Sequence, residues 1–133
     1  MRLEPLYRLS FRYEQSWVVR LGDEIDQLLQ GEGRCEGRIS GRFRGTNRAR
    51  RRTGEPFEPD YHGVIETDDG ATILWDLTGY GWPEEGRVLT TIKHRSAHEA
   101  YSRLNDALCV AGGKVEGRLV TLEIAELVWE HPG

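Results

Sequence analysis

Residues 61–77 read YHGVIETDDGATILWDL, and this stretch decides the fold. Two runs of alternating polarity flank Asp68-Asp69-Gly70, where glycine in the third position can take the left-handed conformation of a three-residue hairpin loop. Pairing Thr67 with Ala71 then aligns Glu66 with Thr72, Ile65 with Ile73, Val64 with Leu74, Gly63 with Trp75 and His62 with Asp76. That register puts Ile65, Ile73, Trp75 and Leu77 on one face. A one-residue slip would set Ile65 against Thr72 and mix the faces. The stretch is therefore predicted to form an antiparallel hairpin with His62 and Asp76 as direct cross-strand neighbours.

The same alternation recurs on both sides. Leu3, Pro5, Tyr7, Leu9, Phe11 and Tyr13 share a face opposite Glu4, Arg8, Ser10, Arg12 and Glu14, broken only by Leu6. Residues 38–45 and 87–94 also read as strands, and 108–111 and 115–129 close the chain around a Gly112-Gly113 turn. Two helical signals interrupt them. Asp23 can cap a short turn carrying Ile25, Leu28 and Leu29 and ended by Gly31. Ser96 and Glu99 match a capping box, followed by Ala97, Ala100, Tyr101, Leu104 and Leu108 at helical spacing, which predicts a helix over 97–107. Residues 45–59 show no period and read as a long, exposed, arginine-rich loop. Together these features predict one all-β, mainly antiparallel domain over residues 1–133. Its expected form is a small closed or nearly closed β-barrel of about seven or eight strands with one or two short helices.

Composition narrows the function. The chain has 133 residues, 38% hydrophobic and 30% charged, which suits one globular core and not a disordered chain. No apolar run approaches a membrane span, and Met1 to Pro5 lacks a signal-peptide core, so a cytoplasmic protein without a membrane partner is expected. Two cysteines, Cys35 and Cys109, are too few for a disulfide framework or a cysteine-based zinc site. The net charge of −4 is unevenly spread. Between Arg34 and Arg52 lie eight arginines against the single acid Glu36, +7 in all, while the remaining residues carry −11. Such a block can hold a polyanion, but Phe43 points away from Arg38, Arg42 and Arg44, and the acidic remainder would repel phosphate. Nucleic acid is disfavoured, and internal charge balance is the more economical use of the arginines.

The candidate chemistry begins with His62 and Asp76. A carboxylate beside an imidazole fixes its tautomer and stabilises its charged form, as a general base needs, although the same pair serves equally as an ordinary surface contact. Tyr80, Trp82 and Tyr101 are candidate pocket walls, with Glu66 on the His62 face and Arg42 available to an anionic group. His94 and His98 lack a third ligand at metal spacing, so no metal site is assigned. No phosphate loop, dinucleotide fingerprint or nucleophile elbow is present in the sequence, and no cofactor is expected.

The order of motifs carries a resemblance. Leu3-Glu4-Pro5-Leu6, Gly37 to Gly41, Glu66 to Ala71, Leu104-Asn105 and the hydrophobic closing strand together resemble the bacterial and fungal family known as domain of unknown function thirty-two thirty-seven. The resemblance spans nearly the whole chain and implies a small antiparallel β-barrel with an interior cavity. Two departures mark this sequence: Ser102-Arg103 replaces an aromatic before Leu-Asn, and Tyr61-His62-Gly63 stands where an Arg-Tyr type of sequence is usual. The expected function is a barrel that binds a small apolar or aromatic molecule, as a cofactor-independent enzyme of isomerase, cyclase or lyase type with His62 as base and Asp76 as its orienter. The alternatives are a non-catalytic ligand-binding barrel, and an oligomeric or nucleic-acid-binding module using residues 34–52. A homo-oligomer is left open.

Overall fold

A computed structural model describes residues 1–130. Eight strands follow one another around a closed antiparallel ring: β1 (Arg2–Leu21), β2 (Glu24–Gly37), β3 (Gly41–Arg52), β4 (Asp60–Thr67), β5 (Thr72–Trp82), β6 (Arg87–Arg95), β7 (Cys109–Glu116) and β8 (Leu119–Val128). Closure pairs β1 with β8 and leaves no exposed sheet edge around the ring itself. Each strand has a single inward face. Leu9, Phe11, Phe43, Ile65, Ile73, Trp75, Ile92, Leu122 and Ile124 fill the interior, each no more than 2% exposed.

The β4–β5 hairpin has the register read from its sequence, with Thr67 N–H donating to Ala71 O at 2.9 Å and Gly70 at φ 90°. Elsewhere the structure departs from expectation. Residues 45–52 are strand and not loop. Every residue from Gly41 to Arg52 pairs with β2, with Asn47 and Ala49 turned inward and Arg48, Arg50 and Arg52 outward, so only 53–59 connect β3 to β4. The segment expected as a helical turn, Ile25 to Leu29, is also strand. Glu24 and Asp26 lie opposite Arg52 and Arg50, and charge pairing with β3 outweighs the local helical pattern.

The helix expected over 97–107 shrinks to a 3₁₀ turn at Ser102–Asp106. The Ser96 hydroxyl donates to Thr72 O at 2.8 Å and accepts from the His98 amide at 3.2 Å, not from the Glu99 amide that a capping box would use, and only Leu104 of the segment is buried against the core. The Gly112-Gly113 pair lies inside β7, and the chain turns at Gly117, φ 64°. Gly113 is there for close approach: a Cβ on it would lie 1.9 Å from Thr121 O. Leu6, the misfit of the first alternating run, occupies a bulge between Pro5 and Tyr7 that lets both Leu6 and Tyr7 point inward.

The two ends of the barrel differ. One carries the β2–β3 and β4–β5 turns and is covered by residues 96–108. At the other, β1, β2 and β3 run on past their neighbours and the 53–59 and 83–86 connections rise over the opening. Reciprocal hydrogen bonds between Phe57 and Gly81, at 2.8 and 2.9 Å, tie the 53–59 connection to the end of β5, just before the 83–86 connection begins.

Candidate functional site

Alternation decides where the expected site residues fall. His62 and Asp76 are direct neighbours, with Nδ1 and Oδ1 2.7 Å apart, but their side chains are 71% and 53% exposed on the outside of the barrel. The expected base and its orienter therefore lie side by side on the outer wall, His62 beside an open groove, and not inside the barrel. Tyr61, Gly63, Ile65, Trp75 and Leu77 take the single inward face, and a period of two sends His62 and Asp76 to water. Asp76, by its hydrogen bond, holds His62 above its ordinary value, with a further pull from Asp60.

The other candidates divide. Glu66 is outside, bound to Arg44 at 2.8 Å, which holds its carboxyl below the usual range. Arg42 is exposed on the same outer surface, in alternation with the inward-facing Phe43. Seven of the eight block arginines pair with carboxylates, among them Arg48 with both oxygens of Asp26 at 2.7 and 2.9 Å and Arg34 with Asp68 at 2.5 Å. Among the described residues Arg42 is the exception. Tyr80 alternates outward and is 49% exposed. Tyr101 lies at the covered end, its hydroxyl donating to the Asp69 carboxylate at 2.9 Å. Trp82, the last residue of β5, is the one expected pocket residue that lines an interior cavity.

That cavity, about 230 Å³, sits inside the open mouth. Phe11, Tyr13, Tyr61, Leu77 and Leu122 form its inner walls, with Phe57, Trp82 and Pro83 at the rim. Below it the aromatic core is continuous, with Phe43 and Trp75 centroids 4.9 Å apart and Tyr61 edge-on to Trp75 at 5.7 Å. Two arginines stand at the rim, each over a ring: Arg87 3.8 Å from the centroid of Trp82 and Arg51 4.9 Å from that of Phe57. Glu85 and Glu84, of the 83–86 connection, pair with them at 2.5 and 3.0 Å. Two larger grooves, about 610 and 890 Å³, lie along the outer surface and open broadly to water. The mouth cavity is the better candidate because its walls are buried and apolar.

Polar groups inside the mouth were missed by reading polarity alone. Asn47 Nδ2 donates to Tyr13 Oη at 3.2 Å, while Asn47 Oδ1 accepts from the Asp60 amide at 3.0 Å. The Tyr13 and Tyr61 rings stack 6.3 Å apart, 18° from parallel. Burial pushes both hydroxyls above the ordinary tyrosine value, so they are neutral donors at pH 7. Their signal was present in the alternation: Tyr13 shares its face with Tyr7 and Phe11, and Tyr61 its face with Ile65.

Deeper in the core, Trp75 Nε1 donates to Tyr7 Oη at 3.0 Å, and Tyr7 Oη lies 2.6 Å from His94 Nε2. Burial lowers His94 to about 4, so the neutral ring accepts the Tyr7 hydroxyl proton at Nε2. Burial likewise pushes the Cys35 and Cys109 thiols up to about 12 and 11, leaving both protonated at neutral pH. Among the described residues no group of three His, Cys, Asp or Glu side chains is placed to hold a metal ion, and no helix is long and apolar enough to cross a membrane.

The two histidines give a pH prediction. His94 in the folded chain sits below its ordinary 6.5, so its contribution to stability is complete above pH 6.5 and is lost as pH falls toward 4. His62 sits above 6.5, so its small, solvent-screened contribution is present below that pH and disappears as pH rises through the folded value. A proton-detected histidine titration is expected to show His62 titrating above 6.5 and His94 near 4. Coincident midpoints for the two would contradict the interior placement of His94.

The fold and cavity define a closed, eight-stranded β-barrel with a ligand-sized mouth. Solved structures share this build. The chain is similar to a β-barrel-like protein from Acinetobacter baumannii AYE, with 23% identity, 96% of each chain covered and a TM-score of 0.85. It is similar to a protein of unknown function from Clostridium acetobutylicum, with 17% identity, 96% of this chain and all of that one covered and a TM-score of 0.87. It also matches an enzyme from Penicillium herquei, with 21% identity, 94% of each chain covered and a TM-score of 0.75. At these identities the likeness establishes the fold alone. No family model and no curated protein matches the chain, so the family resemblance stays an expectation drawn from motif order.

Proposed function

We propose that this barrel binds one small, largely apolar or aromatic molecule in its mouth cavity. The observation that carries the reading is the cavity itself: about 230 Å³ between buried aromatic and aliphatic walls, with a few hydroxyl and amide groups at fixed positions. Apolar walls with sparse convergent polar groups are the usual make-up of a small-molecule site. Trp82 and Phe57, held by the Phe57–Gly81 hydrogen bonds and covered by the stacked arginines, form a collar around the entrance.

Cofactor-independent proton-transfer chemistry, of isomerase, cyclase or lyase type, is the second reading. The neutral Tyr13 and Tyr61 hydroxyls favour it, since they can donate to oxygen as charge develops on a bound carbonyl. The fold neighbour from Penicillium herquei, described as an enzyme, is in keeping with it. The residues lining the cavity include no carboxylate and no imidazole to take the proton, and the His62–Asp76 pair is outside the wall. Ligand binding is therefore preferred.

Fluorescence titration with 2-naphthol tests the binding reading. Saturable binding with the same affinity in wild type and His62→Gln is the expected result. Loss of binding in His62→Gln would move the site to the outer surface, and no saturable binding in either protein would remove the mouth cavity as a site for such molecules.

A further inference from the structure

Past Arg12 the first strand leaves its neighbour. β1 pairs with β8 as far as Arg12, opposite Leu119, and the Tyr13 amide then donates to Arg118 O at 3.0 Å. Residues 14–21 continue against β2 alone, so their other side is an open strand edge among the described residues. The two-residue turn at Gly22-Asp23 closes on the Leu21–Glu24 pair. Alternation from that pair directs the main-chain groups of Ser16, Val18 and Arg20 to the open side. The far edge of the same three-stranded extension is covered. There Arg50 and Glu58 exchange main-chain hydrogen bonds at 3.4 and 2.8 Å, and the 53–59 connection lies along β3. Proteins commonly blunt an open edge with proline or lysine. Residues 14–21, Glu-Gln-Ser-Trp-Val-Val-Arg-Leu, hold neither, and Trp17 is 51% exposed with Val18, Val19 and Leu21 exposed beside it.

We propose that the open edge of β1 pairs with the same edge of a second copy of this chain, antiparallel about a two-fold axis at Trp17. The charge pattern selects this occupant. Gln15 to Val19 is uncharged, with Glu14 at one end and Arg20 at the other. Neither charge makes an ion pair among the described residues. Two-fold pairing centred on Trp17 sets Glu14 of each copy at the position opposite the other copy's Arg20, whereas parallel pairing would set like charges together. The direction of the main-chain groups agrees with this register, since Ser16 falls opposite Val18 and both turn to the open side. Trp17 meets its own counterpart at the centre, in a non-hydrogen-bonded pair where side chains lie closest, with Leu28 beside it on β2. The two extensions then form one six-stranded sheet. This dimer does not depend on what the mouth cavity binds.

Sedimentation equilibrium of the whole chain reads the association directly, over about 5 to 500 μM, a range suited to a small interface. Wild type is expected to pass from monomer to dimer across it. The Ser16, Val18 and Arg20 amides should exchange more slowly with solvent at the top of the range. Arg20→Glu should raise the dimer Kd about tenfold, because it sets carboxylate against carboxylate at both ends. Adding Glu14→Arg to that variant exchanges the two charges and should return Kd to within about twofold of wild type, a rescue that a folding defect would not show. Trp17→Lys should leave the chain monomeric, with an unfolding midpoint close to that of wild type. Monomer at every concentration, with the three amides unprotected, would overturn the proposal and leave the edge to a strand of a different protein. A dimer whose Kd neither Arg20→Glu nor Trp17→Lys moves would also overturn it, by placing the interface elsewhere.

Discussion

Trp75→Ala is expected to destabilise the barrel by about 3–5 kcal/mol, a large part of the stability of a domain this size. Trp75 is fully buried and joins two systems. Its ring packs edge-on against Phe43 and Tyr61, and its Nε1–H supports the Tyr7 hydroxyl that in turn reaches His94. Truncation leaves a void between rigid strands and takes the donor from a buried hydroxyl, so cavity and polar penalties add. Trp75→Phe keeps most of the ring contact and loses only the donor, for an expected cost of about 1–2 kcal/mol beyond the smaller volume. Denaturant unfolding monitored by circular dichroism measures both. A Trp75→Ala loss below about 1 kcal/mol would mean that the aromatic layer does not hold the barrel together.

Ala49→Trp is the variant with the largest expected effect on binding. Ala49 is buried on the inner face of β3, at the cavity wall, where the alternation of Arg48, Arg50 and Arg52 points outward. An indole placed there has the mouth cavity as its open volume and occupies the space a ligand would take. Affinity for 2-naphthol is expected to fall at least tenfold, about 1.4 kcal/mol, while the unfolding midpoint stays close to that of wild type. Lost affinity together with a collapsed midpoint would report unfolding and not occlusion, so both are measured on the same preparation. Unchanged affinity in a folded Ala49→Trp protein would place the ligand elsewhere.

Much of the fold was legible because a barrel strand has one inner face and the apolar residues claim it. The 61–77 hairpin could be read to its exact register, since Gly70 sets the loop and the apolar residues set the phase. The long β2–β3 ladder was less legible. Arg48 to Arg52 read as loop because arginine gives no apolar beat, although Asn47 and Ala49 mark the inner face at a period of two. Their acid partners, Glu24 and Asp26, were hidden in a pattern that also suits a helix, and only the pairing across β2 and β3 resolves it.

The site was legible in part. Pairing His62 with Asp76 followed from register, yet register says nothing of which face is wet. The alternation that gave Trp75 and Leu77 to the core already sent both polar partners outward. Trp82, named as a candidate pocket wall for its aromatic ring, ends β5 at the cavity rim. Tyr13, Tyr61 and Thr90 were passed over because a hydroxyl on an apolar face looks like ordinary core until its partners are counted.

The most direct measurement is a crystal structure of the protein soaked with 6-bromo-2-naphthol, its bromine located by anomalous scattering. Ligand binding in the mouth places one bromine peak inside the barrel, between Tyr61 and Trp82. A bromine peak in the outer grooves beside His62 or Tyr80, with the mouth empty, would contradict it.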